Sequence, residues 1–280
     1  MFFDSLITGL IYLCVTFGLF VVGNFVYRLA HRRADLREEL FGRDNLALAF
    51  AMTGYYLGLV FSITGVLIGP SAGLTNDLID LLIYGALAIV LLNLSIFVND
   101  RVILYRFSNE KEIFTDQNVG TGVIEGANSV AVGLIVAGAL SGQGSLLTAV
   151  VFWIVGQLAL ILAGLVYERV LPYDLHAEVE RDNVAVGVAF AGLLIGLGNL
   201  TRVAIAGDFV SWPLSLGTAG LYIVTGLVLF PLVRWLTDLL LVPGVTLEQE
   251  LVRQEKPNVG AGLIEGFAYV AASLLIGGTI

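Results

Sequence analysis

Two acidic residues, Glu125 and Glu265, lie inside long apolar stretches, and their chemistry is the most informative in the chain. Each follows an asparagine, Asn118 or Asn258, by seven positions, which is about 10 Å along an α-helix. An ionisable residue at that depth in a bilayer is costly and by default indicates a functional site. Because burial favours the neutral acid, we expect each glutamate to be protonated at rest and able to exchange a proton.

Polar side chains share a helix face with each glutamate. Asn128 and Ser129 follow Glu125 at i+3 and i+4, and Tyr269 follows Glu265 at i+4; residues at these spacings are neighbours on a helix. One interpretation is that these five side chains bind protons or cations. The other is that each protonated glutamate joins its helix to a neighbouring one by a hydrogen bond. The recurrence of the glutamate leaves both interpretations open.

The composition places these residues in a membrane. Of the 280 residues, 58% are hydrophobic and 13% are charged, which is too few charges to cover a soluble domain. The charges are also clustered, since no Asp, Glu, Lys or Arg occurs in residues 5–27, 46–76, 81–99 or 126–167. A bilayer crossing needs about 20 apolar residues as helix. The sequence therefore predicts an all-α polytopic protein whose main partner is the lipid bilayer.

The hydropathy pattern predicts eight crossings, at residues 5–27, 46–68, 79–98, 118–140, 146–167, 183–206, 212–235 and 258–279. Long charged arms follow the first, third, fifth and seventh crossings, and short connectors follow the second, fourth and sixth. Every Lys and Arg except Arg202 lies on the arm side or at its helix ends. Positively charged loops stay in the cytoplasm, so we expect cytoplasmic arms and both termini outside.

Each even-numbered crossing begins at an asparagine, and the segments that follow match in pairs. Arg43-Asp44-Asn45 matches Arg181-Asp182-Asn183, and seven of the nine residues from Asn118 are identical to those from Asn258, with separations of 138 and 140 residues. Residues 1–141 and 142–280 are therefore predicted to be two parallel four-helix repeats, each made of two helical hairpins. The asparagines are expected to cap helices. The alternative is that four helix N-termini converge on a ligand. The helix-start asparagines are Asn45, Asn118, Asn183 and Asn258.

The same four crossings each carry two glycines four residues apart, a spacing that lets helices approach closely in lipid. We expect this glycine surface to pack the four helices into an inner layer, although it could instead form a homodimer contact. The glycines are Gly54, Gly58, Gly122, Gly126, Gly192, Gly196, Gly262 and Gly266.

Several chemistries lack their sequence patterns. There is no phosphate-binding loop or zinc-protease motif, Cys14 is the only cysteine, and the two histidines, His31 and His176, fall in the arms. We therefore expect no enzyme activity, no metal site and no cofactor. The net charge of −9 disfavours nucleic acid as a partner.

The repeated asparagine, followed by small residues and opening alternate helices of a four-helix unit, resembles the YjfL-like bacterial inner-membrane proteins, a family of unknown function. The resemblance covers nearly the whole chain as two tandem units. It implies a multi-pass location in the prokaryotic inner (plasma) membrane, and it brings no assigned catalytic residues.

Two functions remain as hypotheses. The first is a small channel or transporter for protons or cations, with Glu125 and Glu265 as a paired buried centre. The second is a membrane scaffold or partner subunit whose cytoplasmic arms bind a soluble protein. The buried acids favour the first, and the lack of a wide polar face on the other crossings favours the second.

Overall fold

The computed structural model describes residues 2–31 and 35–279. Within these residues the chain forms ten α-helices, of which eight are long and apolar enough to cross a membrane. The eight are α1 Phe2–Ala30, α2 Leu46–Ile68, α3 Leu74–Val98, α5 Val119–Leu140, α6 Leu146–Val170, α8 Val184–Ile205, α9 Trp212–Leu240 and α10 Val259–Thr279. The predicted all-α membrane fold with eight crossings is confirmed.

Short helical segments lie in the arms between these crossings. They are α4 Asn109–Phe114, α7 Leu175–Glu180 and three π-helical turns at Glu38–Gly42, Asn99–Ile103 and Gln249–Arg253. Four of the long helices, α1, α3, α6 and α9, extend beyond the predicted crossings, and α3 and α9 do so by five residues at one end. Helix α3 begins at Leu74, where Asp77 accepts a hydrogen bond from the backbone N–H of Ala72 at 2.8 Å, and α9 continues through Arg234 to Leu240.

The crossings form two layers. In the inner layer, α2, α5, α8 and α10 stand in a row, so that α5 packs between α2 and α8, and α8 packs between α5 and α10. In the outer layer, α3 covers the groove between α2 and α5, α6 covers the groove between α5 and α8, and α9 covers the groove between α8 and α10. Helix α1 contacts α2 and α3 at the start of the row. Each outer helix and the inner helix that follows it in the chain, such as α3 and α5, form one hairpin of the predicted repeat.

Glycine allows the inner helices to approach this closely. A Cβ atom added to Gly54 would overlap the backbone of Gly126, and one added to Gly192 would overlap that of Gly266. These two contacts occupy equivalent places in the α2–α5 and α8–α10 crossings. The α5–α8 crossing uses other small residues, which are Gly120, Ala131, Gly138, Gly187 and Gly198.

The outer helices present large apolar side chains to the surroundings. Phe17 and Phe25 on α1 and Leu221 and Val228 on α9 are all more than 60% exposed. A bilayer is the environment in which such a surface is stable, since water would make this much exposed apolar area unfavourable.

Candidate functional site

An asparagine side chain caps the N-terminus of each inner helix. The Oδ1 atom accepts a backbone N–H at 3.0 Å for Asn45, 2.9 Å for Asn118 and 3.2 Å for Asn183. Asn258 accepts from Gly260 at 2.9 Å and from Ala261 at 3.3 Å. These oxygens supply partners for N–H groups that a helix start otherwise leaves unpaired.

The amide nitrogens of the first three asparagines bind the arm that precedes the next inner helix. Asn45 donates to the carbonyl of Ile113 at 2.8 Å, and Asn118 donates to that of Val179 at 2.7 Å. Asn183 donates to the carbonyl of Leu251 at 2.8 Å. The four helix starts therefore lie side by side along the inner row, and in these three the amide groups serve the fold.

Glu125 lies on α5 and is 2% exposed. The hydroxyl of Tyr27, from α1, donates to its Oε1 atom at 3.4 Å. Within residues 2–31 and 35–279, no Lys or Arg nitrogen lies within 4.0 Å of its carboxyl group. Glu125 is thus a buried acid without a described counter-charge.

Polar oxygens line the α5 face that carries Glu125. Thr121, Asn128 and Ser129 lie at i−4, i+3 and i+4 and are at most 1% exposed. Their atoms Thr121 Oγ1, Asn128 Oδ1 and Ser129 Oγ make no hydrogen bond with any described residue, although Asn128 Nδ2 donates to the carbonyl of Ser95 at 3.4 Å. Buried polar atoms are rarely left without a partner, so this face is suited to bind water or an ion.

Glu265 has quite different surroundings. Two tyrosine hydroxyls donate to its Oε1 atom, Tyr167 from α6 at 2.7 Å and Tyr269 from α10 itself at 2.8 Å. The guanidinium of Arg234, from α9, forms an ion pair with the same carboxylate. Glu265 is fully buried and Arg234 is 9% exposed. The second glutamate is therefore neutralised inside the protein.

The repeat alignment shows how far the two sites have diverged. At the 140-residue separation, Ala261 replaces Thr121, Ala268 replaces Asn128, and Tyr269 replaces Ser129. At the 138-residue separation that aligns Asp100 with Asp238, Arg234 takes the place of Ile96. The second copy thus has alanines in place of Thr121 and Asn128, a tyrosine in place of Ser129, and an additional arginine.

The structure does not bring Glu125 and Glu265 together. Glu125, on α5, contacts Tyr27 of α1, whereas Glu265 lies among α6, α9 and α10. Neither glutamate lines any of five depressions found among residues 2–31 and 35–279. Asn128 and Ser129 accompany Glu125, and Tyr269 accompanies Glu265.

Sequence reasoning missed Tyr27, Tyr167, Thr121 and Arg234. A signal for the tyrosines was present, because Tyr27 and Tyr167 are separated by the same 140 residues as the two glutamates. Arg234 was counted with the arms, since it falls near the end of its predicted crossing.

A cluster of titratable side chains in the arms is an ion-pair network. Glu168, Asp174 and His176 lie close enough together to be considered as metal ligands. Both carboxylates, however, form ion pairs with Arg106, at 3.0 Å for Glu168 and 2.5 Å for Asp174. The nearby His176 shares a hydrogen bond of 3.0 Å with the carbonyl of Ile103. The backbone N–H of Ala177 and the Arg106 guanidinium hold the pKa of Asp174 below its usual value.

Comparison with known proteins places this architecture in a family. Residues 1–140 and residues 143–280 each match the Domain of Unknown Function (DUF350). The chain belongs to this family. The resemblance inferred from the asparagine motif is confirmed at that level. The chain is also 25% identical over 252 residues to a UPF0719 transmembrane protein of Aquifex aeolicus (strain VF5), a match that covers 88% of this chain and 90% of the relative. No solved structure matches the chain significantly.

Proposed function

We propose that this integral membrane protein translocates protons or alkali cations through a site centred on Glu125. The observation that carries the proposal is the contrast between the two buried acids. Glu265 is paired with Arg234, whereas Glu125 faces a tyrosine hydroxyl and lies on a helix face with three oxygens that have no described partner. The hypothesis of a paired centre is thereby narrowed to the first repeat.

The chemistry of the Glu125 face suits small cations. A carboxyl group beside hydroxyl and amide oxygens offers hard ligands, and a carboxyl group without a counter-charge is neutral in an apolar setting until a proton leaves or a cation arrives. Glu125 is two turns from the arm end of α5, so with cytoplasmic arms the site lies nearer the cytoplasmic face of the membrane. The inner (plasma) membrane of a prokaryotic cell is the location that goes with this role.

Flux measurements in proteoliposomes test the proposal. Proton, sodium and potassium gradients would be applied to vesicles holding the wild type, Glu125→Gln, or the control double variant Glu265→Gln/Arg234→Met. We expect Glu125→Gln to reduce flux to the level of empty vesicles and the control to retain it. Flux that survives Glu125→Gln, or that is lost equally in the control, would contradict a specific role for Glu125.

The separation of the two glutamates favours a second candidate function, a membrane scaffold. Each acid contacts a tyrosine of another helix of its own repeat. Such contacts can hold helices together without a cavity shared by the two acids. In that case the arms bind a soluble protein, and crosslinking through arm residues recovers this partner. Replacement of both glutamates then leaves recovery of the partner unchanged. Wild-type vesicles that show no flux under any of the three gradients would favour the scaffold.

A further inference from the structure

We propose that copies of this chain bind one another head to tail, with α10 of one copy packed against α2 of the next. The inner row would then continue from one molecule to another. The proposal does not depend on the role of Glu125. It rests on the two ends of the row, where faces of a kind that is covered between α5 and α8 recur with no described residue packed on them.

The free face of α10 repeats the face by which α5 packs on α8. Within the chain, Gly120 and Gly138 of α5 lie against the backbone of α8, and so does Ala131. At the 140-residue separation their counterparts are Gly260, Gly278 and Ala271. A Cβ atom added to Gly278 would meet no atom within 4 Å, and one added to Gly260 would meet only the side chain of Asn258. The face is present, and no helix among residues 2–31 and 35–279 covers it.

The free face of α2 repeats the face by which α8 packs on α5. Gly187, Gly198 and Arg202 of α8 contact α5. At the 138-residue separation they correspond to Ala49, Val60 and Thr64 of α2. Val60 and Thr64 are exposed, and Ala49 is half-buried. Because Val60 replaces Gly198, we expect the new crossing to be somewhat wider than the α5–α8 crossing.

Polar groups at the arm end fit the same arrangement. In the α5–α8 crossing, Asp182 accepts a hydrogen bond from the backbone N–H of Gly120 at 3.2 Å. Asp44 is the counterpart of Asp182, with the same left-handed backbone (φ of 51° and 58°), and its carboxylate is exposed. Gly260, the counterpart of Gly120, would supply the N–H group from a second copy.

Asn258 supplies an independent indication. All four helix-start asparagines donate to a glutamate of their own arm, and Asn258 does so to Glu250 at 2.7 Å. The first three also donate to a carbonyl of the following arm, whereas Asn258 has no such partner among the described residues and is exposed. The corresponding carbonyl is that of Leu40, which precedes Asn45 by as many residues as Ile113 precedes Asn118. A depression of about 390 Å³, lined by Glu250, Asn258 and Gly260 among others, lies where that arm would sit.

A second copy is the occupant because its open end carries the matching residues. The α10 face and the α2 face differ, so the contact is heterologous and continues as a ring or an open row rather than closing as a two-fold dimer. This differs from a homodimer built on the paired glycines of the inner helices, because those glycines are already used between helices of one chain.

Disulfide crosslinking in native membranes tests the arrangement. Two differently tagged chains would be co-expressed in a Cys14→Ser background, one with Thr64→Cys and the other with Gly278→Cys. We expect a reducible band at twice the chain mass that contains both tags. As a matched control, Gly220→Cys on α9 would replace Gly278→Cys, and we expect no such band. Absence of the mixed band, or a stronger band from Gly278→Cys chains alone, would overturn the head-to-tail contact.

Loss of the polar contact gives a second test that keeps the helices unchanged. Asp44→Gly, which removes the carboxylate and fits the left-handed backbone, should reduce the assembly to single chains in nanodiscs, as measured by native mass spectrometry. Asp80→Ala, at the opposite end of the bundle, should leave it intact. Assembly that persists in Asp44→Gly, or a wild type that is monomeric, would overturn the proposal.

Discussion

The hydroxyl of Tyr27 donates to the carboxyl of Glu125 at 3.4 Å, across 98 residues of sequence, and the same separation joins Tyr167 to Glu265 at 2.7 Å. The tyrosine–glutamate contact between an outer and an inner helix is therefore a shared feature of both repeats. What differs is the third partner. Arg234 neutralises Glu265, while the first repeat keeps polar oxygens instead. The two acids therefore occupy equivalent positions with different partners.

The Arg234–Glu265 pair should behave as a buried ion pair. Removing one partner leaves an uncompensated charge, so Arg234→Met should lower the free energy of unfolding by about 3 kcal/mol or more. The double variant Arg234→Met/Glu265→Gln should recover most of that loss, because both charges leave together. Denaturant unfolding in detergent micelles measures both. A double variant that is less stable than Arg234→Met alone would contradict this expectation.

Close helix packing predicts different outcomes for glycines that look alike in the sequence. Gly54→Ala places a methyl group on the Gly126 backbone, and such overpacking should cost about 1–3 kcal/mol. Gly220→Ala on α9 is the matched control, since its added Cβ meets no atom within 4 Å. Thermal unfolding of the two variants should separate them. Equal melting temperatures would mean that α2 and α5 can move apart without loss.

The crossings and the two repeats could be predicted because the hydropathy of a segment, and its similarity to another segment, can be read from the order of residues without knowledge of tertiary contacts. The asparagine caps are also local, since a cap needs an oxygen within three residues of the first N–H groups. The α5–α8 crossing could not be predicted in the same way. Its glycines, such as Gly187 and Gly198, are spaced by more than one helical turn and resemble ordinary small residues until the row of helices is known.

The contrast between the two acids needed the structure for a different reason. Glu125 and Glu265 lie in nearly identical local sequences, and their partners come from other helices. A buried tyrosine such as Tyr27 looks like apolar packing in a hydropathy profile. Whether Thr121 or Ser129 has a hydrogen-bond partner depends on tertiary contacts, which no spacing along one helix can reveal.

The arm network predicts a pH effect. The pKa of Asp174 is lowered, first by the backbone N–H of Ala177 and then by Arg106. An acid whose pKa is lower in the folded state stabilises the fold above its unfolded pKa, and that contribution is lost as pH falls below about 4. Asp174→Asn should flatten this part of the stability curve in denaturant unfolding. Arg106→Gln should leave most of the slope, because the N–H of Ala177 remains; an equal flattening would instead assign the effect to Arg106.

Asn118 should be more important for stability than an ordinary helix cap. Its oxygen caps α5, and its nitrogen satisfies both Glu112 at 2.9 Å and the carbonyl of Val179. Asn118→Ala removes a cap worth about 1 kcal/mol and leaves a buried carbonyl unpaired at a further cost of about 1–3 kcal/mol. Ser145→Ala, which removes only the cap of α6, is the matched control and should cost about 1 kcal/mol. Equal losses in denaturant unfolding would show that the bond to Val179 contributes nothing, and the arm would then be held to the inner row by apolar contacts alone.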